Sequence, residues 1–262
     1  MAEYTDIGFL DLKKNVRLTK NNDGVVFVKK YISPLQRNIY EHIRMRNYAG
    51  VPRVVDIYPE NDYFILIEEY IQGKSLQQML DEKIPFYPEF VREIAKSLSR
   101  TLEPIHRDGI IHRDITASNV IFAGGNNFYL IDFGNARTYK AEQSTDTEYI
   151  GTQNYAAPEQ FGFGQSDKRT DIYSIGVLMN VLLTGGFFTY EKRYKGKLDK
   201  VIKKCTRVNP RGRYKNMRAL RRGLWREYHK PFLSIPALFI YFLLTFWVAL
   251  GFITAIVYKF VR

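Results

Sequence analysis

Three oxygen-bearing side chains sit in one stretch of loops and short apolar runs. Asp114 follows His112-Arg113, Asn119 comes five residues later, and Asp132 opens Asp132-Phe133-Gly134 after the β-prone run 128–131. Carboxylate and amide oxygens are what a hard divalent cation prefers. Gly134 gives backbone freedom directly after Asp132, whereas Phe133 suits packing. The four histidines (His42, His106, His112 and His229) lack metal-ligand spacing. The single cysteine, Cys205, excludes an internal disulfide and a Cys-based zinc site, which fits a reducing compartment. Its apolar neighbours place it in a core.

Around these residues the sequence reads IIHRDITASNVIF, YLIDFG, GTQNYAAPEQ and DIYSIGVLM. In this order and at these intervals the segments resemble the eukaryotic-like protein kinase superfamily, its bacterial serine/threonine branch in particular, from about Asn15 to Tyr228. The resemblance implies ATP and Mg2+ as cofactors and a protein Ser/Thr hydroxyl as acceptor. Phosphoryl transfer needs an aligned hydroxyl and a neutralised triphosphate, with little covalent help from the protein. By resemblance, Asp114 is the base that accepts or orients the hydroxyl proton, and Asn119 and Asp132 hold magnesium. A lysine from the third strand pairs with the phosphates. Counting from Gly24 favours Lys30; reading Val26-Phe27-Val28 as the usual strand motif gives Lys29 instead. Glu41 matches the helix glutamate that pairs with this lysine. Glu69 to Ile71 match the hinge that hydrogen-bonds adenine.

Further family positions follow. Gly151-Thr152 and Ala157-Pro158-Glu159 resemble the segment that seats a peptide substrate, and Thr152 goes with serine/threonine acceptors. Glu159 is expected buried and paired with Arg213, because a buried carboxylate needs a partner. Asp171 matches the aspartate that braces the catalytic loop, and it also suits a helix N-cap. Ser144, Thr145 and Thr147 are candidate phosphorylation sites whose phosphate would pair with Arg113. Three departures stand out. No G-x-G-x-x-G precedes Gly24, so closure over the nucleotide is weaker or comes from elsewhere. Thr116 replaces the lysine that usually follows the catalytic aspartate by two. Little chain lies between Gly186 and Leu198. A membrane-tethered pseudokinase scaffold is the alternative reading. A small-molecule kinase is disfavoured by the peptide-seating segment.

These residues need a scaffold. VRLTK and VVFVKKYI flank Asn21-Asn22-Asp23-Gly24 and predict a hairpin over 15–32. Residues 34–47 have helical spacing with Pro34 in the first turn. Residues 63–71 predict a strand, 88–106 a long helix, and 171–183, 198–206 and 217–228 further helices. Strands first and helices later predict an α+β, two-lobed protein kinase-like fold. The expected layout is a reduced β-rich N-lobe over 1–72 and a helical C-lobe over 73–228. A juxtamembrane segment (229–235), a transmembrane helix (236–258) and a short tail (259–262) complete it.

The last part follows from charge. The 262 residues carry a formal net charge of +12, and Pro231 to Tyr258 carry none. As a helix, 236–258 would run about 34 Å, enough for a hydrocarbon core of about 30 Å. Between Lys192 and Lys230 stand 16 basic residues and two acids, a net +14 that leaves the remainder near −2. The excess before the span predicts a single-pass, tail-anchored protein with its catalytic part in the cytoplasm. The basic stretch is expected to meet anionic membrane lipids rather than nucleic acid.

Overall fold

Five antiparallel strands form the first sheet: β1 (Thr5–Asp11), β2 (Val16–Lys20), β3 (Val26–Ile32), β4 (Val54–Glu60) and β5 (Tyr63–Glu69), in spatial order β1-β2-β3-β5-β4. The Asn21 side chain closes the β2–β3 turn by accepting the Asp23 and Val25 N–H groups, at 3.1 and 2.9 Å. Pairing of β3 with β5 sets Val28 opposite Glu68 and Lys30 opposite Leu66. Opposite residues share a face, so Val28, Lys30, Leu66 and Glu68 all point to one side. Phe27, Ile65 and Ile67 form a smaller cluster on the other side. The computed structural model describes residues 3–12, 14–139, 152, 154–161, 165–186, 193–228 and 241–248.

Between β3 and β4 lies α1 (Pro34–Arg46). Its start is a capping box: the Ser33 hydroxyl accepts from Gln36 N–H at 3.4 Å, and the Gln36 side chain accepts from Ser33 N–H at 2.8 Å. Asn47 ends it in the left-handed region, with φ 45. The helix buries Ile39, Tyr40 and Ile43 and leaves Glu41 on its flank.

The chain then runs through β6 (Lys74–Ser75), α2 (Leu76–Asp81) and α3 (Pro88–Arg107). Val91, Ile94, Ala95, Leu98, Leu102 and Ile105 of α3 make a buried stripe at helical spacing. Short strands follow: β7 (Ile110–Ile111), β8 (Val120–Phe122), β9 (Phe128–Leu130) and β10 (Arg137–Thr138). They pair as β6-β8-β9 and β10-β7, which leaves residues 112–119 and 131–136 as loops between them. Three helices complete the unit: α4 (Lys168–Thr184), α5 (Asp199–Cys205) and α6 (Met217–Tyr228). A Cβ on Gly176 of α4 would lie 2.4 Å from Cys205 Cβ, so the glycine is what lets α5 approach. One core cluster runs from Ile32 and Tyr40 through α3 to Leu224. The α+β content is as expected, but the order is interleaved rather than strands first: α1 lies between β3 and β4, and β7 to β10 follow α3.

Two expectations change. The strands β1 and β4 flank the anticipated hairpin and strand. Helix α4 starts at Lys168, not at 171, with Asp167 as its N-cap and Thr170 completing the capping box. Asp171 is therefore a first-turn residue.

Met1–Tyr228 form one unit and His229–Arg262 a second. In the second, residues 241–248 are helical with all eight side chains exposed. Among the described residues no helix is long and apolar enough to cross a membrane. The expected segments 229–235 and 259–262, and most of 236–258, lie outside the described residues.

Candidate active site

The loop after β7 carries Asp114, which is buried along with His112 and Arg113. Arg113 holds φ 67, a strained region for a non-glycine residue. What holds the loop there is Asp171 in the first turn of α4. Its Oδ2 accepts from His112 N–H at 3.0 Å and contacts His106 Nε2 at 2.7 Å; its Oδ1 accepts from Arg113 N–H at 2.8 Å. Burial alone would raise the Asp171 pKa, but these partners, His106 first, lower it. The His112 ring packs edge-on to Phe133, with centroids 4.6 Å apart, and burial lowers its pKa. Its Nδ1 accepts the Asp114 N–H at 3.3 Å, and its Nε2 lies 3.3 Å from the Ile131 carbonyl.

Asp114 is surrounded by donors. Its Oδ2 accepts from Asn119 Nδ2 and from Asn135 Nδ2, each at 3.1 Å. Its Oδ1 accepts from the Thr152 hydroxyl at 2.6 Å. Asn119 also donates to the Asp114 carbonyl at 2.9 Å, which folds 114–119 into one rigid turn. The structure thus brings Asp114, Asn119 and Thr152 together. A carboxylate held at a hydroxyl is the arrangement a proton acceptor requires.

Asp132 sits after β9 in the left-handed region, with φ 65. Burial would raise its pKa, but Lys30, Lys14 and the Gly134 N–H hold it down at about 2. Asp132 and Asn119 line a cleft of about 370 Å³ whose other walls include Val28, Lys30, Glu68, Glu69 and Ile71. An ionised carboxylate beside an amide fits the oxygen donor set that magnesium prefers.

Strand alternation decides between the two lysines. Lys30 points into the cleft; Lys29 points to the other face, 3.5 Å from Asp6. The expected partner of the lysine differs. Glu41 lies 3.5 Å from Arg37, one turn earlier on the same helix, and does not meet Lys30. The buried Lys30 ammonium pairs instead with Glu68 on the adjacent strand. Burial opposes the Lys30 charge, yet Glu68 and Asp132 outweigh it and its pKa is raised. The physical reason is the rotation of α1. Tyr40, not Glu41, faces inward, and its hydroxyl accepts the Phe133 N–H at 3.1 Å. Gln36 donates to the Gly134 carbonyl at 2.9 Å. Sequence reasoning missed Glu68, Tyr40, Asn135 and Lys14. For Glu68 the signal was there, since alternation along β5 puts it on the Leu66 face.

Away from the cleft, Glu159 and Arg213 form a buried bidentate pair at 2.6 and 2.8 Å. The other Arg213 donors reach the carbonyls of Arg169, Arg207 and Val208. All five guanidinium N–H groups are satisfied. Thr116 is buried. Gly151, Ser144, Thr145 and Thr147 lie outside the described residues.

A cleft of about 370 Å³ lined by a strand lysine and a carboxylate–amide pair is the arrangement of the kinase class. Residues 17–229 match the protein kinase domain, and the chain belongs to that family. Among curated proteins it is similar to serine/threonine-protein kinase PknL of Mycobacterium tuberculosis, with 36% identity over 54% of this chain and 36% of that protein. PrkC of Bacillus subtilis is 30% identical over 51% of this chain and 21% of its own. PknB of Mycobacterium tuberculosis is 27% identical over 83% and 40%. The chain thus spans about a fifth to two fifths of the length of these relatives.

Proposed function

We propose that this protein transfers the γ-phosphoryl group of ATP to serine or threonine hydroxyls of proteins. The observation that carries the reading is the Asp114 carboxylate, held on one side by Asn119 and on the other by Thr152, next to a cleft lined by Lys30 and Asp132. Asp114 takes or orients the proton of the acceptor hydroxyl. Lys30 neutralises phosphate charge, and Glu69 to Ile71 border the end of the cleft suited to the base. Asp132 and Asn119 would hold Mg2+, which supplies charge neutralisation at the phosphates. Asp171 keeps the 112–114 backbone in register. The names of the similar proteins support the serine/threonine assignment.

A labelled-ATP assay on the full chain with a generic basic protein acceptor tests this. Label transfer by the wild type, lost in Asp114→Asn and in Asp132→Asn, is expected. Mg·ATP affinity falls in Asp132→Asn and stays near wild type in Asp114→Asn. Turnover like the wild type in either purified variant overturns the assignment.

We further propose that 236–258 spans a membrane once, with residues 1–230 on the cytoplasmic side and the basic stretch against anionic lipid. Support comes from the uncharged run and the net +14 before it. Alkaline carbonate extraction of the expressed chain checks this, since a peripheral protein would be released and a spanning one retained.

A further inference from the structure

The turn joining β1 to β2 is four residues long and contains no glycine. Two of its amides turn inward. Lys14 N–H donates to Asp11 Oδ1 at 3.1 Å, and Asn15 N–H donates to the Leu12 carbonyl at 3.3 Å. Those two amides are spent within the turn, whereas the amides of a glycine-rich loop would face a phosphate. What the turn does aim into the cleft is the Lys14 side chain. Its ammonium reaches Asp132 Oδ2 at 3.0 Å, 118 residues away in the chain. It also feels the charge of Asp114. Lys14 therefore lines the cleft in direct contact with one carboxylate, Asp132, and within electrostatic range of the other. At 116, where a cation is missing, a buried threonine stands.

We propose that Lys14 is a phosphate-binding residue. With a nucleotide in the cleft, its ammonium moves from Asp132 Oδ2 to the terminal phosphate oxygens. It supplies from the turn the charge that neither a loop backbone nor residue 116 provides. This rests on the cleft being an ATP site. A lysine head is a compact charge on a flexible four-carbon stem, suited to such a move. The Lys14 side chain is 58% exposed, so it is free to swing. As a mere tether between the turn and the 132 loop, an exposed ion pair is worth little, with a ceiling of about 1 kcal/mol. Aimed at a triphosphate as charge builds on it, the same ammonium is worth more.

The test uses the full chain as wild type, Lys14→Ala and Lys14→Arg, with ATP and adenosine as probes in the presence of magnesium. Removing a charge-assisted contact to phosphate is expected to weaken ATP binding by about tenfold or more. Adenosine binding stays unchanged, and Lys14→Arg recovers most of the ATP affinity. In steady-state transfer, kcat/KM for ATP falls with the binding loss while KM for the protein acceptor does not move. Wild-type ATP affinity in Lys14→Ala, or equal weakening of ATP and adenosine, overturns the proposal and leaves the kinase reading standing. A wild-type chain that binds no ATP overturns both.

Discussion

Lys30 on β3 and Glu68 on β5 form an ion pair within one sheet, so the cation facing the cleft is held by a neighbouring strand and not by helix α1. Both residues are largely shielded from water, with side-chain exposures of 12% and 7%. Helix α1 reaches the 132–134 loop by other means, through the Tyr40 hydroxyl and the Gln36 amide.

Glu68→Gln is therefore expected to do what a change at Glu41 does not. It removes the ion-pair partner of the buried Lys30 and leaves only the field of Asp132 to offset burial; breaking a buried pair costs about 3–5 kcal/mol. Loss of transfer by about tenfold or more and a lower unfolding midpoint are expected, since each 1.4 kcal/mol is a factor of ten. Glu41→Gln, which breaks only a half-exposed contact to Arg37, is expected to stay within about twofold of wild type. Steady-state kinetics and urea melts on both variants check the contrast.

Arg213→Lys is expected to be severe although charge is conserved. A lysine brings three donors where the site uses five, and it cannot make the bidentate contact to Glu159. A loss of roughly 3 kcal/mol is expected from the unsatisfied Glu159 carboxylate and the freed carbonyls. Denaturant unfolding measures it, and a midpoint unchanged from wild type would count against the pair as a structural anchor.

Asp108, at the end of α3, contributes stability that acid removes. Its carboxylate is held by the Tyr48 hydroxyl and by Arg46 at 2.8 and 3.1 Å, and lies 3.4 Å from His42 Nε2. The Tyr48 hydroxyl lowers its pKa most; burial opposes this, and Arg46 and His42 add to the lowering, to about 2. A carboxyl depressed on folding stabilises the native state above the ordinary range near 3.9, and that contribution is lost as pH falls toward 2. After solvent screening it is on the order of 1 kcal/mol. Asp108→Asn is expected to be less stable than wild type at pH 7, with the gap closing between pH 4 and pH 2 in thermal melts.

Much of this was legible in the primary structure, and the failures have local causes. The β2–β3 hairpin, α1, α3 and α6 follow from turn chemistry and periodicity, because their patterns are long or their caps strong. Strands β1 and β4 were missed. The former is mostly exposed and lacks clean alternation. The latter carries Pro59, which an edge strand tolerates but which reads as a breaker. Spacing from Gly24 favours Lys30 over Lys29, and that signal is local. Glu41 was misplaced because the inward face of α1 depends on how the helix docks, and a 100° turn separates Tyr40 from Glu41. Glu68 needed the register of β3 against β5, which no single segment encodes.

Asp171 carries a last consequence. Because one carboxylate from α4 holds the 112–113 backbone, the 112–114 loop is expected to have no independent melting point. Warming that frees the loop must first loosen the hydrophobic centre of the larger lobe. Heat inactivation and global denaturation are thus expected to trace a single curve, as befits a cooperative unit.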